Sequence, residues 1–582
     1  MRAFKEKLGI LWLCISIFEG HMVQSVPYDH TASIECLSNP MRPLYNGGVI
    51  KNSKFDRGLT DWSVPWDVKA TVSSSPSGNK FAEATTDGQP SHTVYQTVQM
   101  QPNTHYSLSA WLQVSAGTAN VKAVIKTPDG QYVAAGATVA KAGCWSMIKG
   151  GMTAYSSGLG QLYFEADAAV VIWVDSVSLQ PFSFAEWDAH RQQSAGRARR
   201  STVRMAARGP GGTPAANATV SVELLRPAFP LGNAMTREIL DIPAYEQWFA
   251  SRFTVATFEN EMKWYSTEPS RGNEDYGVAD AMLALAERRG IRVRGHNVFW
   301  DDQSTQMAWV RSLGPDELRS AMERRLRSVV SRYAGRVIGW DVVNENLHWS
   351  FFEGRLGPDA SPAAYRRVAE IDGAAPLFMN EFNTVEQPMD MAAMSSKYVA
   401  KMNQIRAFPG NGGLKLAVGL ESHFGTPNIP FMRATLDTLS QLNVPIWLTE
   451  IDVTNGPNQA QHLEEVLREG YGHPSVDGMV MWAAWHAQGC YVMCLTDNDF
   501  KNLAVGDVVD KLIAEWRTHP VAATTDADGV VELDLVHGEY NVTVTHHPSS
   551  PLVPSAVRTL TVEASSSASS SSVSGKVMRI RL

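Results

Sequence analysis

Several short apolar runs in this 582-residue chain end in the same kind of residue, an acid, an amide or an imidazole. Glu259 and Asn260 follow FTVATF, His296 lies in RVRGHNVFW, and Asn344 and Glu345 close VIGWDVVNE. Asn380, Glu381 and Asn383 occur in PLFMNEFN, Glu421 and His423 in KLAVGLESH, and Glu450 and Asp452 in PIWLTEIDV. One such group at the end of an apolar strand can be a satisfied structural residue. A whole set on successive strands points to polar groups facing one shared space. Carboxyls brought together in such a space separate in proton affinity, so that one holds a proton while another stays charged. That pair can protonate a departing oxygen from one side and attack, or activate water, from the other.

The elements that must position these groups alternate. Eight short apolar strands, FPLGNAM, FTVATFEN, RVRGHNVFW, VIGWDVVNE, PLFMNEFN, KLAVGLESH, PIWLTEIDV and GMVMWAAW, are separated by helical stretches such as DELRSAMERRLRSVVSRY and QAQHLEEVLREG. Strands that are apolar on both faces are those of a parallel sheet covered by helices. Eight such units within 228–518 predict a closed (β/α)8 TIM barrel, whose active site lies at the C-terminal ends of its strands. Two carboxylates across that mouth suit cleavage of a glycosidic bond, and aromatics around them suit sugar subsites.

The motifs EN-x-MKW (from Glu259 to Trp264), GHNVFW (to Trp300), WDVVNENLH (to His348), GLESHF (to Phe424) and WLTEIDV (to Val453) occur in that order. Together they resemble glycoside hydrolase family 10, the endo-β-1,4-xylanases, and GCYVMCLTDNDFKNL is similar to its plant members. The resemblance implies Glu345 as acid/base and Glu450 as nucleophile. It implies Asn344 at the sugar 2-hydroxyl and His423 hydrogen-bonded to the nucleophile. Glu259, Asn260, Lys263, His296, Trp300 and Trp482 match subsite residues on the glycone side. Glu421 stands where the family usually has Gln, which implies altered binding on the leaving side. A retaining mechanism is implied, with carboxyls about 5 to 5.5 Å apart. Alternatives of other kinds are a wall-binding protein with an inert barrel, a related β-glycanase, or an enzyme that transfers chains to sugar acceptors.

Outside the barrel, 44–183 consists of alternating segments broken by turn residues, which predicts a β-sandwich. In YSLSAWLQV, Trp111 shares the polar side of its strand with Ser107, Ser109 and Gln113. An aromatic there is a platform for a sugar ring, or else part of a second buried layer. The segment resembles the family 22 carbohydrate-binding modules, which implies Tyr132, Tyr163 and Glu165 as ligand contacts. Residues 184–227, with the basic run HRQQSAGRARR, read as a linker with short strands. Residues 519–564 read as a small C-terminal β domain whose strands are expected to pair with TVRMAARG and ATVSVELLR. Residues 565–582 read as a Ser-rich tail.

Arg2, Lys5 and Lys7 ahead of LGILWLCISIF predict a signal peptide over 1–25, hence a secreted, extracellular or cell-wall protein. No later run is long enough to span a bilayer. Four of the five cysteines fall beyond that segment, and Cys490 and Cys494 are close enough to close a loop as a disulfide. A net charge of −8 gives no attraction toward nucleic acid. The expected partner is a polysaccharide, xylan, bound by a monomer, and the chemistry calls for no cofactor and no metal.

Overall fold

The computed structural model describes residues 26–86, 91–546, 555–563 and 577–582. The signal-peptide reading of 1–25 and the Ser-rich run 565–574 lie outside them. Strands β1 (Leu231–Met235), β2 (Val255–Phe258), β3 (Arg292–Gly295), β4 (Val337–Asp341), β5 (Leu377–Glu381), β6 (Leu416–Leu420), β7 (Ile446–Val453) and β8 (Val476–Met481) pair in parallel, each with the next. Pairing of β8 with β1 closes the barrel, as its alternating pattern predicts. Side chains fill the inside: Val255, Phe378, Ala417, Trp447 and Val480 form one cluster. The buried Arg294 guanidinium lies 4.2 Å from the Phe378 ring centroid and donates to Asp341 Oδ1 at 2.5 Å.

The N-terminal module is a sandwich. Thr104–Val114, Ser146–Ala154, Ile172–Ser183, Lys80–Thr86 and Val68–Ser74 form one sheet, and Thr118–Lys126, Tyr132–Lys141 and Gly158–Ala166 dominate the other. Trp111 overturns the sugar-platform expectation, being only 1% exposed. Its side of the strand is roofed by Leu44, Phe81, Trp145 and Met147. The roof is fastened by the Cys36–Cys144 disulfide and by Leu37, whose N–H donates to the Trp145 carbonyl at 2.9 Å. Strand alternation separates two faces without saying which one meets water.

The linker reading of 184–227 is also corrected. Phe184–Arg199 is a helix, opened by a capping box in which Ser183 and Glu186 exchange hydrogen bonds. Trp187 is buried, donates to Glu469 Oε2 at 3.1 Å and stacks on the Arg433 guanidinium at 3.8 Å. Arg199, at the end of the basic run, is buried with its guanidinium on the carbonyls of Tyr471, His473 and Val476. The helix thus welds module to barrel.

Beyond it, Arg200–Arg208 pairs antiparallel with Val530–Val536 and parallel with Val577–Arg581. Thr219–Pro227 pairs with Val521–Thr524 and Gly538–Thr545, and Ser555–Val562 follows at the edge. These strands share one core around Met205, Val220, Tyr540 and Val542. The small β unit therefore starts before the barrel and ends after it, with the barrel inserted, and 577–582 belong to its sheet and not to a tail.

A buried carboxylate fixes the module against the barrel. Asp437, on the helix Ile429–Ser440, accepts from Lys149 Nζ at 2.8 Å and Tyr28 at 2.9 Å, while His30 and His473 approach its other oxygen at 2.7 and 3.1 Å. Burial opposes its charge, yet Lys149, His30 and His473 hold this carboxyl well below the usual carboxylate range. Lys149→Met leaves the carboxylate buried without its cation. The expected result is a loss of about 3 kcal/mol of stability, checked by thermal melting of the intact chain.

Candidate active site

The polar ends of β4 to β7 are stitched together around one mouth. The N–H of Glu345 donates to the carbonyl of Asn380, that of Glu421 to Glu381 and that of Glu450 to Glu421, each at 2.9 Å. Glu345 itself sits in the left-handed region (φ 58°), a conformation that costs an ordinary residue about 1 kcal/mol and here turns its side chain into the mouth.

Asn380 is the hub. Its oxygen accepts from Thr449 Oγ1 at 2.6 Å, which fixes the amide so that Nδ2 faces Asn344 Oδ1 (2.9 Å), Glu421 Oε1 (3.1 Å) and Glu450 Oε1 (2.9 Å). Gly419, paired with Asn380 across β5 and β6, is small for this reason: a Cβ there would overlap the amide oxygen.

Glu450 lies between two imidazoles. His423 Nε2 is 3.7 Å from its Oε2 and His296 Nε2 4.0 Å from its Oε1. Each imidazole is braced behind, His296 Nδ1 by Asp341 at 2.9 Å and His423 Nδ1 by Asp452 at 3.0 Å. Burial pushes the Glu450 carboxyl up, but His423, His296 and Lys263 outweigh it and hold the group at about 2. Glu345 goes the other way. Burial first, then the charges of Glu381 and Glu450, push it up to about 7 against the indoles of Trp300 and Trp349, the latter donating to Oε2 at 2.8 Å. Glu421 is held well above the usual carboxylate range, by burial first and then by the charges of Glu450 and Glu345. His423 is pulled well above its ordinary value, its burial outweighed by Asp452, Glu421 and Glu450.

The remaining predicted residues line one wall. The Lys263 ammonium sits 4.4 Å from the ring centroid of Trp300 and 5.6 Å from that of Trp482. Burial lowers its affinity for the proton against the surrounding glutamates. Glu259 Oε2 meets His486 at 2.7 Å, and Asn260 accepts from Tyr265 at 2.6 Å. Thr449, His486 and Trp349 escaped sequence reading, although Trp349 directly follows the WDVVNENLH motif. The described residues bring Glu421, His423 and Glu450 within reach of one another, the same donor set that could hold a metal. Here these atoms are already engaged with each other.

Three predicted module contacts share the outer face of the second sheet. Tyr132 is exposed, Tyr163 lies opposite Val124, and Glu165 is paired with Lys122 at 2.8 Å. Cys490 and Cys494 form a disulfide, with Cα atoms 5.3 Å apart.

Residues 222–491 match the description "Glycosyl hydrolase family 10", and residues 47–169 match "Carbohydrate binding domain". Over 549 residues, 93% of each chain, the sequence is 38% identical to a protein named Endo-1,4-beta-xylanase 5 from Arabidopsis thaliana. The chain belongs to glycosyl hydrolase family 10. A second relative from that plant, named Endo-1,4-beta-xylanase 4, is 37% identical over 521 residues, 86% of this chain and 91% of its own. The family 10 match contains both Glu345 and Glu450 and every barrel strand, while the binding-domain match holds Tyr132, Tyr163 and Glu165.

Proposed function

We propose that this chain is a secreted endo-1,4-β-xylanase that hydrolyses internal bonds of xylan with net retention, Glu345 serving as acid/base and Glu450 as nucleophile. The observation that carries the reading is the opposite pull on two carboxyls in one mouth, Glu345 held up to about 7 and Glu450 down to about 2. Relatives named as endo-1,4-beta-xylanases along nearly the whole chain support the polymer. In the first step Glu450 attacks the anomeric carbon while the proton of Glu345 passes to the glycosidic oxygen, giving a glycosyl ester and a freed chain end. In the second, the Glu345 carboxylate takes a proton from water, which displaces Glu450 and restores the β-configuration. Asn380 and the two imidazoles keep Glu450 charged and aimed between turns. Asn344 is placed for the sugar 2-hydroxyl, and the Lys263 wall for the glycone. The outer face of the module, with Tyr132, Tyr163 and Glu165, holds the polymer near the barrel.

The test is release of reducing ends by the purified chain from glucuronoxylan and from cellulose, with product lengths followed when xylo-oligosaccharides are added. Release from xylan alone, with β-anomers formed first, is expected. Cleavage of cellulose instead would replace the substrate, longer products would make the chain a transferase, and inactivity on both would leave a binding protein.

A further inference from the structure

Trp349 is unlike the other aromatics of the mouth. It is 41% exposed, yet its one polar atom points inward and donates to Glu345 Oε2. Its loop is clamped from behind. The neighbouring His348 stacks on Phe382 with centroids 3.7 Å apart and bridges Glu381 Oε1 (2.7 Å) and Asp390 Oδ2 (2.8 Å). The Leu347 N–H holds the second oxygen of Glu381 at 2.7 Å, and the Trp349 N–H returns to the carbonyl of Glu345 at 3.0 Å. A large exposed ring fixed this firmly has lost the conformational freedom that a bound sugar would otherwise take from it.

Its position on the barrel matters as well. Lys263, Trp300 and Trp482 make a wall from the ends of β2, β3 and β8, whereas Trp349 follows β4 and its loop is pinned to β5. Glu345 delivers its proton to the oxygen that joins glycone and leaving group. A ring hydrogen-bonded to that carboxyl, on the side away from the glycone wall, lies beside the departing sugar. We propose that Trp349 is a second working residue of the cleft: its indole N–H aims the Glu345 carboxyl, and its open ring face carries the sugar on the leaving side. This rests on the reading of Glu345 as the acid/base.

The two oxygens of Glu345 then have separate tasks. Oε2 is held by Trp349 at 2.8 Å, while Oε1 has a longer approach, 3.3 Å, from the Asn344 amide, and the Trp300 indole also draws on the carboxyl; the less tightly held Oε1 is assigned the proton to be given up. The charged groups facing this carboxyl are Lys263 past β2, Glu381 on β5, Glu421 past β6 and Glu450 on β7. None of them is altered by a change at Trp349, and an N–H donor favours the ionised acid.

Trp349→Phe and Trp349→Ala in the full chain, assayed on xylohexaose and on a nitrophenyl β-xylobioside that has no sugar on the leaving side, test this. Both variants are expected to move the alkaline limb of kcat/KM to higher pH, by roughly half a unit or more. Trp349→Phe should keep the KM for xylohexaose, and Trp349→Ala should raise it about fivefold without a matching change for the xylobioside. An unmoved limb overturns the aiming role, and an unchanged KM in Trp349→Ala overturns the platform. A uniform fall in kcat on both substrates with an unmoved limb would make Trp349 merely structural. Inactivity of the wild type on both substrates would overturn the hydrolase reading together with this one.

Discussion

Glu450→Ala is expected to lower xylan hydrolysis by about 10⁴-fold or more, because the covalent path disappears with the carboxylate that its neighbours hold charged for attack on the anomeric carbon. The environment makes the prediction specific. Asn380, His423 and His296 converge on this one side chain, and nothing else among the described residues has both an amide and two imidazoles on it. Shortening it to a methyl also opens a space beneath the sugar that a small anion can enter. Azide should therefore restore turnover and yield a glycosyl azide of inverted configuration. The readouts are reducing-end release, with and without azide, and the anomeric configuration of the product. Turnover within tenfold of the wild type would remove Glu450 from this role.

Glu345 governs the other half of the reaction and most of its pH dependence. The acid must be protonated, so kcat/KM is lost as pH rises through about 7; the nucleophile must be charged, so it is lost as pH falls through about 2. The expected profile is a bell with a wide acidic plateau. Glu345→Ala should cost about 10³-fold on xylan, whose sugar leaving group needs the proton, and remove the alkaline limb. On a dinitrophenyl xyloside, whose phenolate departs unaided, formation of the glycosyl ester should be nearly unaffected. Parallel pH profiles on the two substrates check this. A limb that persists in Glu345→Ala would assign the acid to another group, with Glu421 next in line because burial and its neighbours push its carboxyl up as well.

The barrel and its mouth were legible because a strand buried on both faces announces itself by composition, and a polar residue at its end stands out against it. Glu345, Glu450, Glu259, His296, Asn344 and Glu421 occupy such positions, whereas Lys263, Trp300 and Trp482 were reached through the family resemblance. Trp349 and His486 occupy none, since they lie in loops where no periodicity marks direction. Trp111 was misread because period two tells only that it faces away from Leu108 and Leu112. The cover over that face comes partly from the segment around Leu44, more than sixty residues earlier, and partly from Phe81, Trp145 and Met147 on or next to other strands. The helix after Ser183 was overlooked for a different reason: Trp187 is its main apolar residue, so no amphipathic stripe appears. The S-x-x-E capping box at its start was the available signal. The interior role of Arg199 could not be read at all, because the carbonyls that satisfy it belong to residues some 270 positions away.

The way the small β unit embraces the barrel bears on synthesis. Arg200–Arg208 leaves the ribosome before any barrel strand, but its partners Val530–Val536 and Val577–Arg581 leave after all eight. The barrel can close on the nascent chain as soon as β8 emerges, while the strands that precede it wait with unpaired edges. The unit that starts before the barrel is thus the last to be finished, and its completion acts as a clasp across a barrel that is already built.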